Sequence, residues 1–358
     1  MADSNSIYNQ VVVTSITSET SDAGTFELTP INGWQPVYSE GQFITLVFTK
    51  HDVEFRRSYS FSSSPALKEP MRITVKRVEN GEYSRYLLNH IKVGDVLTTS
   101  GIGGFFTFSE EDNRSANAFC FFAAGSGITP VYALIKQVLT TTDHPVMLIY
   151  SNRSELDTIF YDALLKLQEV YTGRLKINFL FSNIRDVYKS RLSNWLLIQL
   201  LTQYDIDKTH TMFYMCGPFL YMQMIMITLL TEGVSASHIK KENFSTLQPL
   251  HKPMPPDTDM HRAEIIINGE HHIINVQYPD AIVASARKQQ LHLPYSCEAG
   301  RCGSCVATCL NGEVWMAYNE VLVEEEIALG RILTCQAYPV KSDVVISFDV
   351  NSKAASIE

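Results

Sequence analysis

The pattern of apolar and polar positions changes twice along the chain. Over the first hundred residues the two alternate in short β-branched runs, 11–16, 42–48 and 71–78, with turn residues between them. Alternation of this kind predicts half-buried strands, and a series of them predicts an antiparallel barrel or sandwich. Beyond the polar run 109–115 the alternation gives way to solid apolar blocks at 119–124, 146–150, 177–181 and 212–216, spaced by helix-length segments. Such blocks predict strands covered on both faces, as in a parallel α/β sheet. The first spacer carries Val131, Leu134, Ile135, Val138 and Leu139 at helical spacing. Pro130 suits its first turn, where a missing N–H costs nothing.

The second change falls at 245–259, which holds four prolines and no apolar periodicity. It reads as an extended tether. After it, runs 264–270 and 272–276 flank Asn268-Gly269 as a hairpin would. The expected division is therefore a β domain at 1–112, an α/β domain at 113–244, a linker at 245–262 and a small module at 263–358.

Composition narrows the function classes. The net charge of −9 over 358 residues is spread without long runs, which argues against a nucleic-acid partner. The longest apolar stretch, 219–230, is too short to span a bilayer. The N-terminus has no basic patch followed by an apolar core, so the expected location is a reducing cytoplasm with no membrane attachment.

In that setting the seven cysteines demand an explanation other than disulfides. Cys297, Cys302 and Cys305 have the spacing C-x4-C-x2-C, and Cys335 follows thirty residues later. The pattern matches plant-type [2Fe–2S] ligation, whereas zinc sites more often use two paired C-x2-C knuckles. Gly300 and Gly303 fit a loop that must wrap a cluster. Cys309 and Cys120 are left over and are expected as small buried apolar side chains.

At the carboxyl end of the first α/β strand stands the stretch Gly125 to Pro130. Glycines there let backbone approach a ligand, and the following helix offers free N–H groups to a phosphate. A one-electron cluster joined to a dinucleotide-type domain needs a group that splits an electron pair. A flavin does so, and the place to look is residues 56–65.

There Arg57-Ser58-Tyr59-Ser60 resembles the R-x-Y-S flavin motif of the ferredoxin–NADP reductase superfamily. Gly81 and Ser84 resemble its second phosphate element. Gly125, Gly127, Thr129 and Pro130 resemble its G-x-G-x-T-P loop, Cys216-Gly217-Pro218 its C-G-P turn, and Glu242 with Phe244 its acidic–aromatic end. The resemblance implies an antiparallel β-barrel FAD domain, an α/β parallel-sheet NAD(P) domain and a β-grasp [2Fe–2S] ferredoxin domain. It implies that Arg57 holds the FAD pyrophosphate, Tyr59 packs on the isoalloxazine, Ser60 lies near the flavin N5 and Cys216 lies beside the nicotinamide.

Reductase first and ferredoxin last is the layout of oxygenase reductase components. Within that group the chain resembles the reductase subunits of phenylacetyl-CoA epoxidases, with features shared by those of steroid and ring hydroxylases. The implied route runs from NADPH through FAD to [2Fe–2S] and on to a separate di-iron oxygenase component. Arg153, after the second strand of the α/β domain, stands where a 2′-phosphate would lie and favours NADPH over NADH. A redox sensor is the rival from another class, but a sensor has no need of a hydride source.

Overall fold

The alternating N-terminal runs pair into one antiparallel sheet in the computed structural model, which describes residues 8–51, 53–186, 190–245 and 252–349. Its strands are β1 (Asn9–Thr20), β2 (Ala23–Pro30), β3 (Phe43–Lys50), β4 (Val53–Ser60), β5 (Arg72–Lys76) and β6 (Val96–Gly103), in the order β4-β3-β6-β1-β2-β5. The two edges meet. Phe61, just past β4, bridges Ile73 of β5, and the Ser62 N–H donates to the Arg72 carbonyl at 2.9 Å. These bonds close the sheet into a barrel filled by Val13, Phe26, Ile44, Leu46, Phe61 and Ile73. Helix α1 (Glu82–His90) lies between β5 and β6 in the chain.

The solid apolar blocks form a parallel sheet. Strands β7 (Ala118–Ala124), β8 (Val146–Asn152), β9 (Leu175–Phe181), β10 (Thr211–Cys216) and β11 (Ile239–Glu242) lie in the order β11-β10-β7-β8-β9. Helices α2 (Glu110–Ser115), α3 (Ile128–Thr141), α4 (Tyr161–Val170), α5 (Asn194–Gln203) and α6 (Phe219–Thr231) accompany it. One face buries Phe121, Tyr150 and Tyr214 with Ile128, Leu134 and Leu164. The other buries Phe122, Phe213 and Met215 with Leu197 and Ile225. Apolar demand on both faces is why the strands show no alternation.

Barrel and parallel sheet together make one compact unit, residues 8–243, and the chain from 244 on makes another. The second unit has strands β12 (His261–Ile267), β13 (Glu270–Val276), β14 (Val306–Met316), β15 (Arg331–Leu333) and β16 (Ala337–Ser347), with helices α7 (Ile282–Lys288) and α8 (Glu324–Ala328). Its sheet order is β13-β12-β16-β14-β15, with β12 and β16 parallel and the other neighbours antiparallel. Ile282 and Ala286 of α7 pack into the core beside Ile265, Ile274 and Ile346, which is the β-grasp arrangement. The β12–β13 turn has Asn268 and Gly269 both at positive φ, 53° and 75°, as the hairpin reading requires.

Two expectations, on the tether and on Cys309, need revision. Residues 246–251 of the proline-rich tether lie outside the described residues, but from 252 the chain is fastened to the ferredoxin unit. Pro255 is buried, Lys252 lies 5.1 Å from the Tyr338 ring centroid, and Asp257 accepts the Lys341 N–H at 2.8 Å. Cys120 is fully buried as expected, whereas Cys309 is only half-buried. It packs at the edge of the core, on the same face as buried Ala307, and just before a register shift its Sγ lies near the Asn311 carbonyl at 3.4 Å. The polar run 109–115 is no mere spacer: it folds into α2 with a Ser109–Asp112 capping box.

Asp112 is 5% exposed, and its Oδ2 accepts from the Ser109 N–H at 2.7 Å, the Tyr214 hydroxyl at 2.9 Å and the Lys240 ammonium at 2.6 Å. One carboxylate thus joins the cap of α2 to β10 and β11. Removing it leaves the Ser109 N–H without its acceptor and the Tyr214 hydroxyl and Lys240 ammonium with only the Thr107 carbonyl, so Asp112→Ala is expected to lower unfolding free energy by about 2–3 kcal/mol, read from the urea midpoint at unchanged slope.

Candidate functional site

In the barrel, the candidate flavin residues lie on β4, whose pleat sends successive side chains to opposite faces. Arg56 is 3% exposed, on the face away from the barrel core, and is held by Glu54 at 2.6 Å and the Tyr8 hydroxyl at 3.3 Å. Arg57 takes the other face. Its guanidinium carbon lies 5.0 Å from the Tyr83 ring centroid, and Tyr83 opens α1. The strand motif and the Gly81–Ser84 element, 21 residues apart at their nearest, are thereby brought side by side. A Cβ on Gly81 would stand 2.7 Å from the Val78 Cβ, so the turn tolerates only glycine there. The Ser84 hydroxyl accepts from the Val78 N–H at 3.1 Å, so it braces this turn as well as flanking it.

Tyr59 packs partly buried against the barrel core, and burial pushes its phenol well above the usual range, so the ring is neutral. Ser60 is 4% exposed, and its Oγ has no hydrogen-bond partner among the described residues. A buried hydroxyl without a partner is costly unless a ligand supplies one. That orphan, a neutral aromatic beside it and a guanidinium at a helix start together fit a flavin nucleotide.

The nucleotide candidates gather at one place in the parallel sheet. Strand β7 has β8 on one side and β10 on the other, so the order reverses there, and ligands of such sheets bind outside the strand ends at that point. The turn Gly125–Gly127 follows β7, and Cys216-Gly217-Pro218 follows β10. They touch. A Cβ on Gly127 would lie 2.0 Å from the Cys216 carbonyl oxygen and 2.9 Å from the Gly217 nitrogen. Gly125 has φ +55°, and the Tyr150 hydroxyl donates to its carbonyl at 3.0 Å. The Thr129 hydroxyl closes the turn on the Ser126 carbonyl at 2.9 Å, and Pro130 is buried in the first turn of α3. The structure adds Lys76 of β5, whose ammonium is the nearest group, at 3.9 Å, to where a Cβ on Gly125 would stand.

Cys216 is fully buried and pairs in register with Glu242 of β11. Burial first, and the Glu242 charge second, hold its thiol well above the usual range, so it is a neutral packing group rather than a nucleophile. Glu242 is buried at 7% exposure. Phe244 is exposed and falls just past the boundary of this unit, one residue beyond its last member. Arg153 is also exposed. It lines an open depression of about 590 Å³ with Ser154, Asp157 and Asn183, and the Asp157 carboxylate in the same depression accepts the Ser154 hydroxyl. Asp157, four residues past Arg153, puts a negative charge beside the guanidinium that favoured NADPH.

In the ferredoxin unit the four candidate ligands form two pairs. Cys302 acts most strongly on the Cys297 thiol, and Cys335 on the Cys305 thiol. The loop is wound tightly, with Glu298, Gly300 and Gly303 at φ +52°, +71° and +73°. A Cβ on Gly300 would meet the Tyr318 carbonyl oxygen at 2.7 Å. The Cys302 thiol, followed by backbone N–H groups of Ala299, Arg301 and Cys302, pulls Cys297 to about 6 against the opposing effect of burial. The Ala299 N–H reaches its sulfur at 3.3 Å. Thr334 fastens the distant strand to the loop through the Cys305 carbonyl at 2.7 Å. Among the described residues no three ligating side chains gather as a single ion requires. Two pairs of thiols suit two irons with two thiolates each, which is the [2Fe–2S] requirement.

Fold and sites together define an NAD(P)H-dependent flavin and iron–sulfur oxidoreductase. Family models match three consecutive stretches: an oxidoreductase FAD-binding domain at 10–108, an oxidoreductase NAD-binding domain at 121–226 and a 2Fe-2S iron-sulfur cluster binding domain at 265–340. The chain belongs to the ferredoxin–NADP reductase superfamily, in the group that carries a C-terminal [2Fe–2S] ferredoxin. It is 32% identical to the ferredoxin reductase component of 3-ketosteroid-9-alpha-monooxygenase from Rhodococcus rhodochrous, covering 87% of this chain and 88% of that one. It is 31% identical to a subunit of the 1,2-phenylacetyl-CoA epoxidase of Escherichia coli K12, covering 97% and 99%. Phthalate dioxygenase reductase shares the fold at TM-score 0.59 and 22% identity, over 95% of this chain and 98% of that one. An intact type IV self-sufficient cytochrome P450 monooxygenase shares it at TM-score 0.72 and 20% identity, over 95% of this chain and 41% of the longer one.

The contact at Gly127 gives a direct test. Gly127→Ala must push two backbone segments apart, so it is expected to destabilise the protein by about 2 kcal/mol and to slow NAD(P)H-driven flavin reduction at least tenfold, measured by thermal melting and anaerobic stopped flow.

Proposed function

We propose that this protein is the reductase component of a multicomponent oxygenase, that it draws on NADPH, and that its partner is the di-iron oxygenase of phenylacetyl-CoA 1,2-epoxidation. Bound FAD takes two electrons together from a nicotinamide and releases them singly to a [2Fe–2S] cluster. The residues of this chain arrange that exchange.

Arg57 and the Gly81–Ser84 turn hold the FAD pyrophosphate, since guanidinium forks and helix-start N–H groups suit phosphates. Tyr59 would pack against the isoalloxazine, and the orphaned Ser60 hydroxyl would find its partner on the flavin. Gly125, Gly127, Thr129 and Pro130 shape the nucleotide turn, with Lys76 as its counter-charge. Cys216, Gly217 and Pro218 would border the nicotinamide, with Glu242 in register beside Cys216. Cys297, Cys302, Cys305 and Cys335 hold the cluster. The observation that carries the reading is the meeting of the two glycine turns at the strand-order reversal, in the same compact unit as the orphaned Ser60.

Arg153 supports NADPH by offering a guanidinium on the rim of its depression. Asp157 works against a second phosphate there unless Ser154 keeps its carboxylate occupied. The likeness to the Escherichia coli epoxidase protein over 99% of its length supports the partner. The slightly higher identity to the Rhodococcus rhodochrous component supports a second reading, a steroid oxygenase.

The test is oxygen-dependent epoxidation of phenylacetyl-CoA by a purified oxygenase complex lacking its own reductase, with this protein and either coenzyme. Product at a higher kcat/KM with NADPH than with NADH is expected. Prompt flavin and cluster reduction without product would remove the partner and leave the reductase. Cys302→Ser is expected to abolish the cluster's visible absorbance and delivery to the oxygenase, with NADPH-dependent dye reduction kept within about twofold. If that variant still drove the oxygenase, the electrons would not pass through the cluster.

A further inference from the structure

Lys136 lies in the middle of α3 between Ile135 and Val138, yet its side chain is buried at 4% exposure. Its ammonium leaves the parallel-sheet lobe and enters the barrel. It donates to the Ser62 carbonyl at 3.0 Å and to the Glu69 carboxylate, and it lies 4.4 Å from the Tyr132 ring centroid. The same Glu69 oxygen accepts the Ser64 N–H at 2.7 Å. Ser62 is two residues beyond Ser60 and belongs to the seam that closes the barrel. One cation therefore ties the helix that starts at the nucleotide turn to the segment that ends the flavin motif.

Stability alone does not account for a charge there. Burying an ammonium costs several kcal/mol, and a methionine of similar volume would fill the space without that cost. An apolar contact, however, fixes no direction, whereas hydrogen bonds to fixed acceptors fix both distance and angle. Tight control of distance matters where two reacting groups are carried by different lobes, since a displacement of about 1 Å costs about a hundredfold in rate.

We propose that Lys136 is a positioning residue for hydride transfer: through Ser62 and Glu69 it sets the separation between the nicotinamide held at the Gly125–Pro130 turn and the flavin held by Arg57–Ser60. The inference rests on the assignment of those two motifs made above. It predicts that the limiting rate depends on this bond while coenzyme affinity does not.

Lys136→Met is expected to keep its FAD content and its KM for NADPH within about threefold, and to lower the limiting rate of flavin reduction 10- to 100-fold in anaerobic stopped flow. Lys136→Arg should recover most of that loss. Glu69 is 24% exposed, so Glu69→Gln offers a milder variant should Lys136→Met not fold, with an expected loss of about tenfold. Coupling through one bond predicts that the double variant is no slower than Lys136→Met alone. In the cofactor-free protein, hydrogen exchange at the Ser64 amide should rise at least tenfold in either variant, with β9 unchanged. A wild-type limiting rate in Lys136→Met, or a loss explained wholly by missing FAD or a raised KM, overturns the proposal. A wild-type protein whose flavin is not reduced by NADPH at all instead overturns the motif assignment on which it rests.

Discussion

The structure depends on one backbone contact, the approach of Gly127 to the Cys216 carbonyl. Strands β7 and β10 are neighbours, so the turns that leave them compete for the same space beyond the sheet. Only a residue without a Cβ lets both pass, because a methyl group would stand 2.0 Å from that carbonyl oxygen. Everything near the nucleotide turn is arranged around this constraint. Tyr150 holds the Gly125 carbonyl from below, Thr129 ties the turn to Ser126, and Cys216 fills the remaining space as a neutral thiol. The result is a pair of turns whose geometry is set before any ligand arrives, which is the condition under which binding spends least on ordering loops.

Beneath the flavin motif a different material is used. Ser62, Ser63 and Ser64 are all buried, and each is committed to a bond within the barrel seam. The Ser62 hydroxyl accepts from Thr74 at 3.0 Å, the Ser63 hydroxyl meets Tyr38 at 2.7 Å, and the Ser64 hydroxyl donates to Glu40 at 2.5 Å. Against this background the free Ser60 hydroxyl stands out. Three serines two to four residues away find partners inside the protein, so the one that does not is placed for something outside it.

Much of this was legible in sequence, and the gaps have physical causes. Strand alternation marked β1, β3 and β5, and the solid blocks marked β7 to β10, because burial on one face or two leaves different periodicities. The cysteine spacing disclosed its ligand set because a loop that wraps a cluster fixes its own spacing locally. Lys136 was passed over for the opposite reason. A lysine on a helix reads as solvated, and its acceptors, Ser62 and Glu69, lie more than sixty residues away. Asp112 was hidden likewise: the run 109–115 looks like a spacer until Tyr214 and Lys240 converge on it from the far end of the domain. Asp157 escaped because the strand-end rule samples only the residues next to the strand, and the chain returns to the depression through a turn at Glu155–Asp157. Cys309 is less buried than expected because it sits at the edge of the core, next to the bulge that follows it in β14.

Long-range polar contacts are thus the features that sequence conceals, and they are also the ones that orient this molecule. Apolar area joins α3 to β7 and holds the barrel around its core, but area is indifferent to small slides between surfaces that remain covered. Directional bonds are not indifferent. Lys136 to Ser62 and Glu69 ties the two lobes beside the flavin motif, and Lys240 to Thr107 at 3.1 Å and to Asp112 fastens the segment that follows the barrel onto β11. The first of these fixes the approach of the lobes, and the second keeps the segment that leaves the barrel in place on the sheet. A hydride donor and acceptor carried by different lobes need that restriction, because the tolerance of their approach is far narrower than the play an apolar interface allows.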